Sequence, residues 1–460
     1  MICKKGTELQ EYIQKLGINP KWEERDFVSY TRKYIQQNNL KVLAIGGLRG
    51  TGKTTGLLQA IKNTEACYIS AQIGETETGI DYINLIKQTK ENIIVLDEYS
   101  WITNREYLDK YLYTAVQNGK RIIITGTESI TLDFLNYGTL IHRVDMVHVT
   151  LFTYEEFCRI YHKPQNKKSC KEYLLQGGIF KEYAITNFST MQTYIKTAII
   201  DNLTAYMKNL DSEKAKALVY AVFYKAICPD NLNQIPVLTE NKLTMENFLD
   251  EMGVNPDIAF DQKDLKNISD ILEQIGVIIR IPNYDKQSPI KEQYYIVNPS
   301  LTCQLILAAY KIPEITNDIL GHAFEACCLI QLYHQKLSDH KLYFVNTTIN
   351  GKNKELDGVI VTEHEDYVYL FECKFREQDK ISPNATIMSK DIEEMFPDSI
   401  IDGRYVIYNG VVSAKTLGDK QIIFVPIGNQ IMNQYYYFSK YIQDLPEQPQ
   451  KKQHTHHMHI

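Results

Sequence analysis

Residues 47–54 have the types and spacing of a loop that can wrap a phosphate group. They read Gly-Leu-Arg-Gly-Thr-Gly-Lys-Thr and fit the pattern G-x-x-x-x-G-K-[ST]. Glycines allow backbone N–H groups to turn inwards with no Cβ in the way, and a following helix adds its positive amino end. The lysine offers its charge to the β- and γ-phosphates, and the last threonine hydroxyl is a ligand for Mg²⁺. The residues that we expect to bind ATP are Gly47, Arg49, Gly50, Thr51, Gly52, Lys53, Thr54 and Thr55.

A pair of carboxylates ends the apolar segment NIIVLDE, residues 92–98. Its apolar run suits a buried strand, so Asp97 and Glu98 should emerge at the carboxyl end, where ligands bind in open α/β sheets. We predict that Asp97 holds Mg²⁺ through water and that Glu98 polarises the attacking water. A structural role for both carboxylates is the alternative, and the phosphate loop earlier in the chain disfavours it.

Two further polar positions flank the end of the predicted sheet. Thr127, with Thr125 and Ser129, lies at the end of RIIITGTES, where a hydroxyl can sense the γ-phosphate. Capping of the strand end is the alternative. Arg143 lies in LIHRVDMV and is a candidate for stabilising charge in the transition state. The alternative is an arginine on the surface, and the sequence leaves open whether Arg143 acts on its own subunit's nucleotide or on a neighbour's.

A second set of charged residues lies near the carboxyl end of the chain. Glu372 and Lys374 are two apart in YLFECKF and so share one face of a strand, and Asp357 begins another strand in KNKELDGVIV. Converging carboxylates at Asp357 and Glu372 can bind Mg²⁺, and Lys374 can orient or deprotonate a water for attack on a phosphodiester. Glu325, on a helix in GHAFEACC, would support the metal or the base. The alternative is an interaction domain without chemistry.

Alternating strands and helices should position the first set of residues. The predicted strands are residues 41–46, 66–70, 92–98, 121–126 and 146–152. Strands that alternate with helices indicate an α/β fold with a parallel sheet, here preceded by two amphipathic helices in residues 1–40. The apolar strand before the phosphate loop and the helix-compatible run after it also argue against a chance match. Gly119 should cap one helix, and Thr153 with Glu156 should begin the next one.

The rest of the chain predicts two more regions and a tail. We expect a P-loop domain with its helices at residues 1–150, and a helical region at 151–310 that ends in a helix and two strands, the pattern of a winged helix. A separate α/β domain should occupy 311–444. The polar stretch at 445–460, rich in Pro, Gln and His, is predicted to be disordered.

Composition limits the classes of partner. The net charge of −6, from 50 basic and 56 acidic residues, gives no overall basic field, so any contact with DNA needs a local patch. No apolar run is long enough for a membrane helix, and residues 1–10 lack the apolar core of a signal peptide. The nine cysteines form no C-x-x-C pair. We therefore expect a cytoplasmic protein with reduced, buried thiols and no membrane contact.

The order of these motifs resembles one known family. GLRGTGKTT with Arg49, VLDE, ITGTES, HRVDMVHVTLFTYEEF and YLLQGG, followed by the C-terminal set, is similar to prokaryotic AAA+ ATPases with a C-terminal PD-(D/E)XK nuclease-like domain of unknown function. The resemblance implies that Arg143 matches the arginine before the last core strand and that the middle region is winged-helix-like. It also implies a restriction-endonuclease-like fold whose motif falls on Asp357, Glu372 and Lys374.

Two hypotheses of function follow. In the first, an ATPase is coupled to a nuclease-like domain and acts on DNA, with ATP and Mg²⁺ as its cofactors and with further copies of the chain as candidate partners. In the alternative, ATP gates the binding of DNA or of a protein partner without cleavage. A remodeller of proteins is disfavoured because the sequence contains no clear substrate-threading loop.

Overall fold

The computed structural model describes residues 1–18, 23–37, 40–72, 76–127, 140, 142–207, 210–228, 243–255, 257–336 and 339–428. The chain divides into two compact units. The first comprises Met1–Arg280 and Gln293–Ala326, and the second comprises Ile281–Glu292 and Cys327–Ile460. The domain boundaries predicted at residues 150 and 310 stay predictions, and the predicted tail at 445–460 lies outside the described residues.

A six-stranded sheet forms the centre of the first unit. Its strands are β1 (Ile2–Lys5), β2 (Val42–Gly46), β3 (Ala66–Ser70), β4 (Ile93–Asp97), β5 (Arg121–Gly126) and β6 (Val144–His148). Their order in the sheet is β1-β3-β4-β5-β2-β6. All neighbouring pairs are parallel except β1 with β3, which is antiparallel. The predicted parallel sheet is therefore confirmed, with one antiparallel strand added at its edge.

Two expectations for this sheet were wrong in detail. Strand β1 begins the chain where only helices were expected, because four residues with two lysines carry too short a pattern to indicate a strand. The strand expected at 146–152 is β6, at Val144–His148. The apolar run continues to Phe152, but after Val149 the chain turns, and the N–H of Phe152 bonds to the carbonyl of Gly178 at 2.5 Å. Because apolar residues occur on both sides of Val149, the apolar run alone does not show where the strand ends and the turn begins.

Helices cover both faces of the sheet. They are α1 (Gly6–Lys15), α2 (Asp26–Gln36), α3 (Lys53–Ile61), α4 (Gly79–Gln88) and α5 (Glu106–Gln117). Alternate residues of β2 belong to two different core clusters, with Val42 and Ala44 in one and Leu43 and Ile45 in the other. The sheet is thus buried on both sides, as parallel sheets generally are. Beyond α5, Gly119 adopts φ +89°, which confirms the expected left-handed glycine at the end of this helix.

The remainder of the first unit is mainly helical. The helices are α6 (Tyr154–Ile160), α7 (Lys167–Gln176), α8 (Phe188–Tyr194), α9 (Asp201–Tyr206), α10 (Ser212–Ile227), α11 (Met245–Glu251), α12 (Gln262–Gln274) and α13 (Pro299–Tyr310). The capping box predicted at Thr153 and Glu156 is present at the start of α6. After α12, strand β7 (Ile278–Pro282) pairs with β8 (Glu292–Ile296). The helix and two strands are as expected, and the winged-helix fold stays a prediction.

Helix α14 (Asn317–Gln335) leads into the sheet of the second unit. The strands of that sheet are β9 (Lys341–Ile349), β10 (Lys352–Val361), β11 (Tyr367–Cys373), β12 (Ile400–Tyr408), β13 (Ser413–Leu417) and β14 (Lys420–Pro426), with the short α15 (Lys390–Glu393) before β12. Their order is β13-β14-β12-β11-β10-β9. Strand β13, SAKTL, was not expected, because it has little apolar character. The restriction-endonuclease-like fold stays a prediction.

One finding bears on the predicted lack of membrane contact. Across the ranges that the structure describes, no helix is both long and apolar enough to cross a membrane.

Candidate functional site: two clusters of charged side chains

The phosphate loop lies between the end of β2 and the start of α3. Gly50 and Gly52 adopt φ values of +85° and +82°, a region that favours glycine. A Cβ at Gly52 would also collide with the ring of Phe180. The hydroxyl of Thr51 donates to the carbonyl of Leu48 at 2.8 Å, which fixes the middle of the loop. Backbone geometry, and not only residue type, thus requires the predicted glycines.

Lys53 lies inside this loop and is 7% exposed. Its ammonium group donates to the carbonyl oxygens of Gly47 at 2.7 Å and Leu48 at 3.0 Å. Carbonyl oxygens are neutral acceptors, so these two bonds do not cancel the positive charge of Lys53. This is the charge that the sequence assigned to the phosphates of ATP.

Asp97 ends β4 and is 2% exposed. Its carboxylate accepts hydrogen bonds from the hydroxyls of Thr54 at 3.1 Å and Tyr68 at 2.6 Å, and from the hydroxyl of Thr125. Strand β5 lies between β4 and β2, so Asp97 and the phosphate loop share the carboxyl edge of the sheet. The structure therefore brings together Thr54 and Asp97, the two residues predicted to hold Mg²⁺.

Glu98 follows Asp97 with φ +56°, a left-handed conformation that is strained for a residue with a side chain. Its Oε2 atom is buried and has no hydrogen-bond partner. Burial, and then the charge of Asp97, raises the pKa of Glu98 above its ordinary value, although Lys53 and Arg49 partly offset this. A strained, partnerless carboxylate at a ligand-binding edge has the properties of a base held ready for a proton.

The candidate sensor residues take different positions. Thr127, just beyond β5, is 8% exposed, and its hydroxyl lies 3.5 Å from that of Ser100. Thr125 instead faces Asp97, as described above, and also accepts from the N–H of Glu98 at 3.3 Å. Ser129 lies outside the described residues. Thr125 therefore positions both carboxylates, and the sensor role of Thr127 stays a prediction.

Arg143 is exposed and stacks on the ring of Tyr113, with 4.4 Å between the guanidinium carbon and the ring centroid. It precedes Val144, which pairs with Val42 at the amino end of β2, whereas the phosphate loop follows the carboxyl end at Gly46. Four residues of strand, about 13 Å, separate those two levels. Arg143 therefore does not reach the nucleotide site of its own chain, and only the role on a neighbour's nucleotide stays a prediction.

The second cluster lies where β10 and β11 pair. Gly358 pairs with Phe371, which puts Asp357 level with Glu372. The pairing of β10 with β9 is interrupted between Leu356 and Val359. Asp357 therefore lies within an irregularity of the strand and is not paired with a residue of β9. Three groups converge here. The ammonium of Lys374 lies 2.7 Å from Glu372 and 3.8 Å from Asp357, and the N–H of Cys373 donates to Asp357 at 2.6 Å.

The close charges of this cluster shift the pKa values of Glu372 and Lys374. Glu372 is 6% exposed, and burial, then repulsion from Asp357, raises its pKa to about 7 even though Lys374 acts in the opposite direction. The two carboxylates in turn raise the pKa of Lys374, which burial alone would lower. Two carboxylates with one ammonium leave excess negative charge in a buried place, which favours a bound cation.

Two findings limit the predicted metal site. Glu325 lies in the first unit, where it accepts from the hydroxyl of Tyr295 at 3.4 Å, so its assistance to the metal stays a prediction. Across the described part of the chain, no group of three or more His, Cys, Asp or Glu side chains is arranged to hold a metal ion. The ligands at hand are therefore the two carboxylates and backbone carbonyls.

Comparison with known proteins bears on the first cluster. Residues 39–158 match the family model described as an AAA domain. This AAA-like segment contains the phosphate loop, Asp97, Glu98 and Arg143, and it ends inside α6. No curated protein matches the chain significantly.

Solved structures show weaker similarities. A Walker-type ATPase of Pyrococcus abyssi is 15% identical over 63% of this chain and 99% of its own, with a TM-score of 0.36. Hsp104 of S. cerevisiae in a complex with casein is 14% identical over 60% of this chain and 52% of its own, with a TM-score of 0.28. Orc1 of Aeropyrum pernix in complex with DNA is 10% identical over 68% of this chain and 97% of its own, with a TM-score of 0.29. Because these scores are low, the similarities do not assign an activity to this chain.

The sequence did not predict the role of several residues around the AAA-like segment. Arg25, 7% exposed, donates to the carbonyls of Thr51 and Thr150, both at 2.8 Å, and forms a buried ion pair with Glu156 at 2.7 Å. Burial would raise the pKa of Glu156, but Arg25 outweighs it, so this pKa lies below its ordinary value. One arginine thus fixes the back of the phosphate loop. Arg25 lies among other charged residues in WEERD, at 22–26, and nothing in the sequence distinguishes it as a residue that contacts the phosphate loop.

Aromatic side chains close the front of the loop. A Cβ at Gly50 would lie 3.3 Å from the ring of Tyr183, and Phe180 lies against Gly52. The ring of Phe180 also packs edge-on against Phe152, with 4.8 Å between centroids. The segment YLLQGG at 173–178 is part of the resemblance, but the contact of the following Phe180 with Gly52 of the phosphate loop was not expected.

Proposed function

We propose that the chain binds ATP at residues 47–55 and hydrolyses it with Mg²⁺. The observation that carries this proposal is the grouping of Thr54, Asp97 and Glu98 at one edge of the sheet. Thr54 and Asp97 are in hydrogen-bond contact at 3.1 Å, and Oε2 of Glu98 is buried without a partner beside them. Hydroxyl and carboxylate oxygens are the ligands that Mg²⁺ prefers, so the residues present fit the ion.

Each side chain then has a separate role. Lys53 binds the β- and γ-phosphates, exchanging its bonds to Gly47 and Leu48 for bonds to the anion. Thr54 and Asp97 would hold Mg²⁺, which neutralises charge on the phosphate oxygens when it is bound. Glu98 orients the attacking water and takes up its proton, a task that suits a buried carboxylate with a raised pKa.

Two substitutions test these roles separately. Lys53→Ala should abolish ATP binding, because the loop loses its only lysine. Glu98→Gln should bind ATP with unchanged affinity and slow hydrolysis by on the order of 10²-fold or more. Binding is measured by calorimetry and turnover by phosphate release. Full turnover by Glu98→Gln would contradict the role of Glu98, and normal binding by Lys53→Ala would contradict the site.

The role of Arg143 in this proposal requires a second copy of the chain. Since Arg143 does not reach its own phosphate loop, it would act on the nucleotide of a neighbouring subunit. Hydrolysis should then rise with protein concentration. A mixture of Arg143→Ala and Lys53→Ala chains should regain some activity, because each intact residue would complement the other's defect at a shared interface. No recovery at any mixing ratio would contradict the role.

A second candidate function belongs to the second unit, namely metal-dependent cleavage of DNA. The observation that favours it is the convergence of Asp357, Glu372 and Lys374, with excess negative charge and a Glu372 pKa of about 7. The two carboxylates would hold Mg²⁺ or Mn²⁺, which would activate water for attack on phosphorus. Lys374 would orient that water or take its proton.

The test uses the full chain with several forms of DNA and with each metal in turn. Divalent metal should raise the melting temperature of the second unit, and Asp357→Ala should remove this shift. Cleavage should be lost in Asp357→Ala and in Lys374→Ala, while ATP hydrolysis persists in both. Metal-induced stabilisation without cleavage, together with DNA binding that depends on ATP, would instead support the ATP-gated switch. Neither stabilisation nor cleavage would contradict the metal site altogether.

A further inference from the structure

Two thiols touch at the edge of the first sheet. Cys3 on β1 and Cys67 on β3 have their sulfur atoms 3.9 Å apart, which is within the range of a thiol–thiol hydrogen bond. None of the nine cysteines is part of a disulfide in the structure. We propose that Cys3 and Cys67 are a reversible disulfide site that closes when the protein is oxidised by hydrogen peroxide.

The strand pairing defines the rearrangement that this bond needs. Cys3 pairs with Ile69 and Lys5 pairs with Cys67, so the two cysteines are diagonal neighbours on one face of the sheet. A disulfide needs the sulfurs about 2.05 Å apart and the Cα atoms within about 7 Å, whereas diagonal neighbours on antiparallel strands lie roughly 7–8 Å apart. Both side chains must therefore rotate, and β1 must shift towards β3. Strand β1 is at the edge of the sheet, and among the described residues β3 is the one strand that it pairs with, so pairing with a second strand does not oppose that shift.

Exposure gives the two thiols different roles. Cys3 is half-buried, whereas Cys67 is fully buried in the core cluster of the sheet. Peroxide from solvent therefore reaches Cys3 first. The hydrogen bond from the Cys67 thiol lowers the pKa of Cys3 to about 7 with help from the charge of Lys5, although burial and the carboxylates of Glu8 and Glu91 act in the opposite direction. The same bond, with burial, raises the pKa of Cys67, which stays protonated until Cys3 has reacted.

The chemistry balances with peroxide as the sole oxidant. The Cys3 thiolate attacks one peroxide oxygen, the O–O bond breaks, and hydroxide leaves with a proton as water, which makes a sulfenic acid on Cys3. The sulfur of Cys67 then attacks the sulfur of Cys3, its proton goes to the departing hydroxyl group, and a second water leaves. Two thiols and one peroxide thus give one disulfide and two waters, and a thiol reductant reverses the bond by exchange.

The bond would join elements that contact the nucleotide site. Strand β1 runs directly into α1, whose Tyr12 packs against Tyr68 with 5.8 Å between ring centroids. Tyr68 follows Cys67 in the chain and donates to Asp97. Closing the disulfide would therefore fix the edge strand beside the tyrosine that holds Asp97. Any effect on ATP hydrolysis rests on the function proposed above, whereas the disulfide itself does not.

The test is peptide mapping of the full chain without reduction. After brief treatment with hydrogen peroxide and alkylation of the remaining thiols, mass spectrometry should find the Cys3 and Cys67 peptides joined. Cys228, the other half-buried cysteine, is the internal control, and Cys3 should react faster by on the order of tenfold. Dithiothreitol should then release both peptides. Lys53→Ala should form the same bond, which separates this result from any failure of the ATPase proposal.

A substitution shows the order of events. In Cys67→Ser, Cys3 should accumulate as a sulfenic acid that dimedone captures, because no second thiol resolves it. The proposal is overturned if wild-type Cys3 proceeds to sulfinic acid, joins a second chain, or reacts no faster than Cys228. If Cys67→Ser does not fold, the wild-type map still decides between these outcomes.

Discussion

Asp97 in the first unit and Asp357 in the second are buried strand carboxylates that differ in what surrounds them. Asp97 accepts from three hydroxyl groups, those of Thr54, Tyr68 and Thr125. Asp357 accepts from one backbone N–H and faces another carboxylate and an ammonium group. Neutral donors hold a carboxylate in place without cancelling its charge, whereas Lys374 cancels part of the charge of the second cluster. We therefore expect the first arrangement to be stable without a cation and the second to be stabilised by one.

The largest expected effect separates the two carboxylates by activity. Asp97→Asn should slow ATP hydrolysis by on the order of 10² to 10³-fold, because the amide has the shape of the carboxylate but no charge for Mg²⁺. Asp357→Asn should leave ATP hydrolysis within about twofold, since its carboxylate belongs to the other cluster. Steady-state phosphate release at saturating ATP measures both. A comparable loss of ATP hydrolysis in the two variants would show that the two carboxylates do not serve separate sites.

A smaller effect concerns pH and the second cluster. Glu372 has a pKa of about 7 in the folded state, above the ordinary value of roughly 4.3 for an unfolded chain. Between those values the folded state binds more protons, so the free energy of unfolding should fall as pH rises through that window and level off above it. The expected fall over the whole window is at most about 4 kcal/mol.

Urea unfolding of the metal-free protein at pH 5 and pH 8 measures this fall. Glu372→Gln is the comparison that isolates it, because Glu98 also has a raised pKa and adds its own pH dependence to the wild type. The fall should be smaller in Glu372→Gln, and Mn²⁺ at pH 8 should restore stability to the wild type only. Equal pH profiles for both proteins would show that the cluster carries no excess charge.

The smallest effect sharpens the description of the first cluster. Tyr68→Phe removes the 2.6 Å hydrogen bond to Asp97 and keeps the ring. The Mg²⁺ concentration for half-maximal hydrolysis should rise about tenfold, while the rate at saturating Mg²⁺ stays close to that of the wild type. Tyr82→Phe, at another fully buried tyrosine of the first unit, is the matched control. Loss of the saturated rate instead would assign Tyr68 a role in packing.

Local spacing explains what the sequence could predict. The phosphate loop and the pair Asp97–Glu98 each consist of a few adjacent residues, so their types and order could be recognised in the sequence. The structure places Thr54 and Asp97 together as expected. Tyr68 and Thr125 lie on the strands that flank β4, and only the strand order reveals that they meet Asp97. For the same reason, the position of Arg143 at the far end of β6 could not be derived before the pairing of β6 with β2 was known.

The second unit shows the same limit. The sequence predicted an α/β unit here, but it did not predict β13, whose residues are mostly half-buried. The spacing of Glu372 and Lys374 placed them on one face, but the alignment of Asp357 with Glu372 depends on the register of β10 against β11. Arg25 is the extreme case, since its partners lie more than 120 residues away in Thr150 and Glu156.

The bonds of Arg25 have a consequence for synthesis on the ribosome. This side chain joins the carbonyl of Thr51, the carbonyl of Thr150 and the carboxylate of Glu156, so the back of the phosphate loop is completed by residues made about 100 positions later. A nascent chain that has exposed residues 1–130 holds every residue of the loop but lacks these later partners. We infer that such a chain does not yet hold nucleotide, and that binding begins only after α6 has left the exit tunnel. Stalled nascent chains of increasing length, probed with a fluorescent ATP analogue, would show at which residue binding starts.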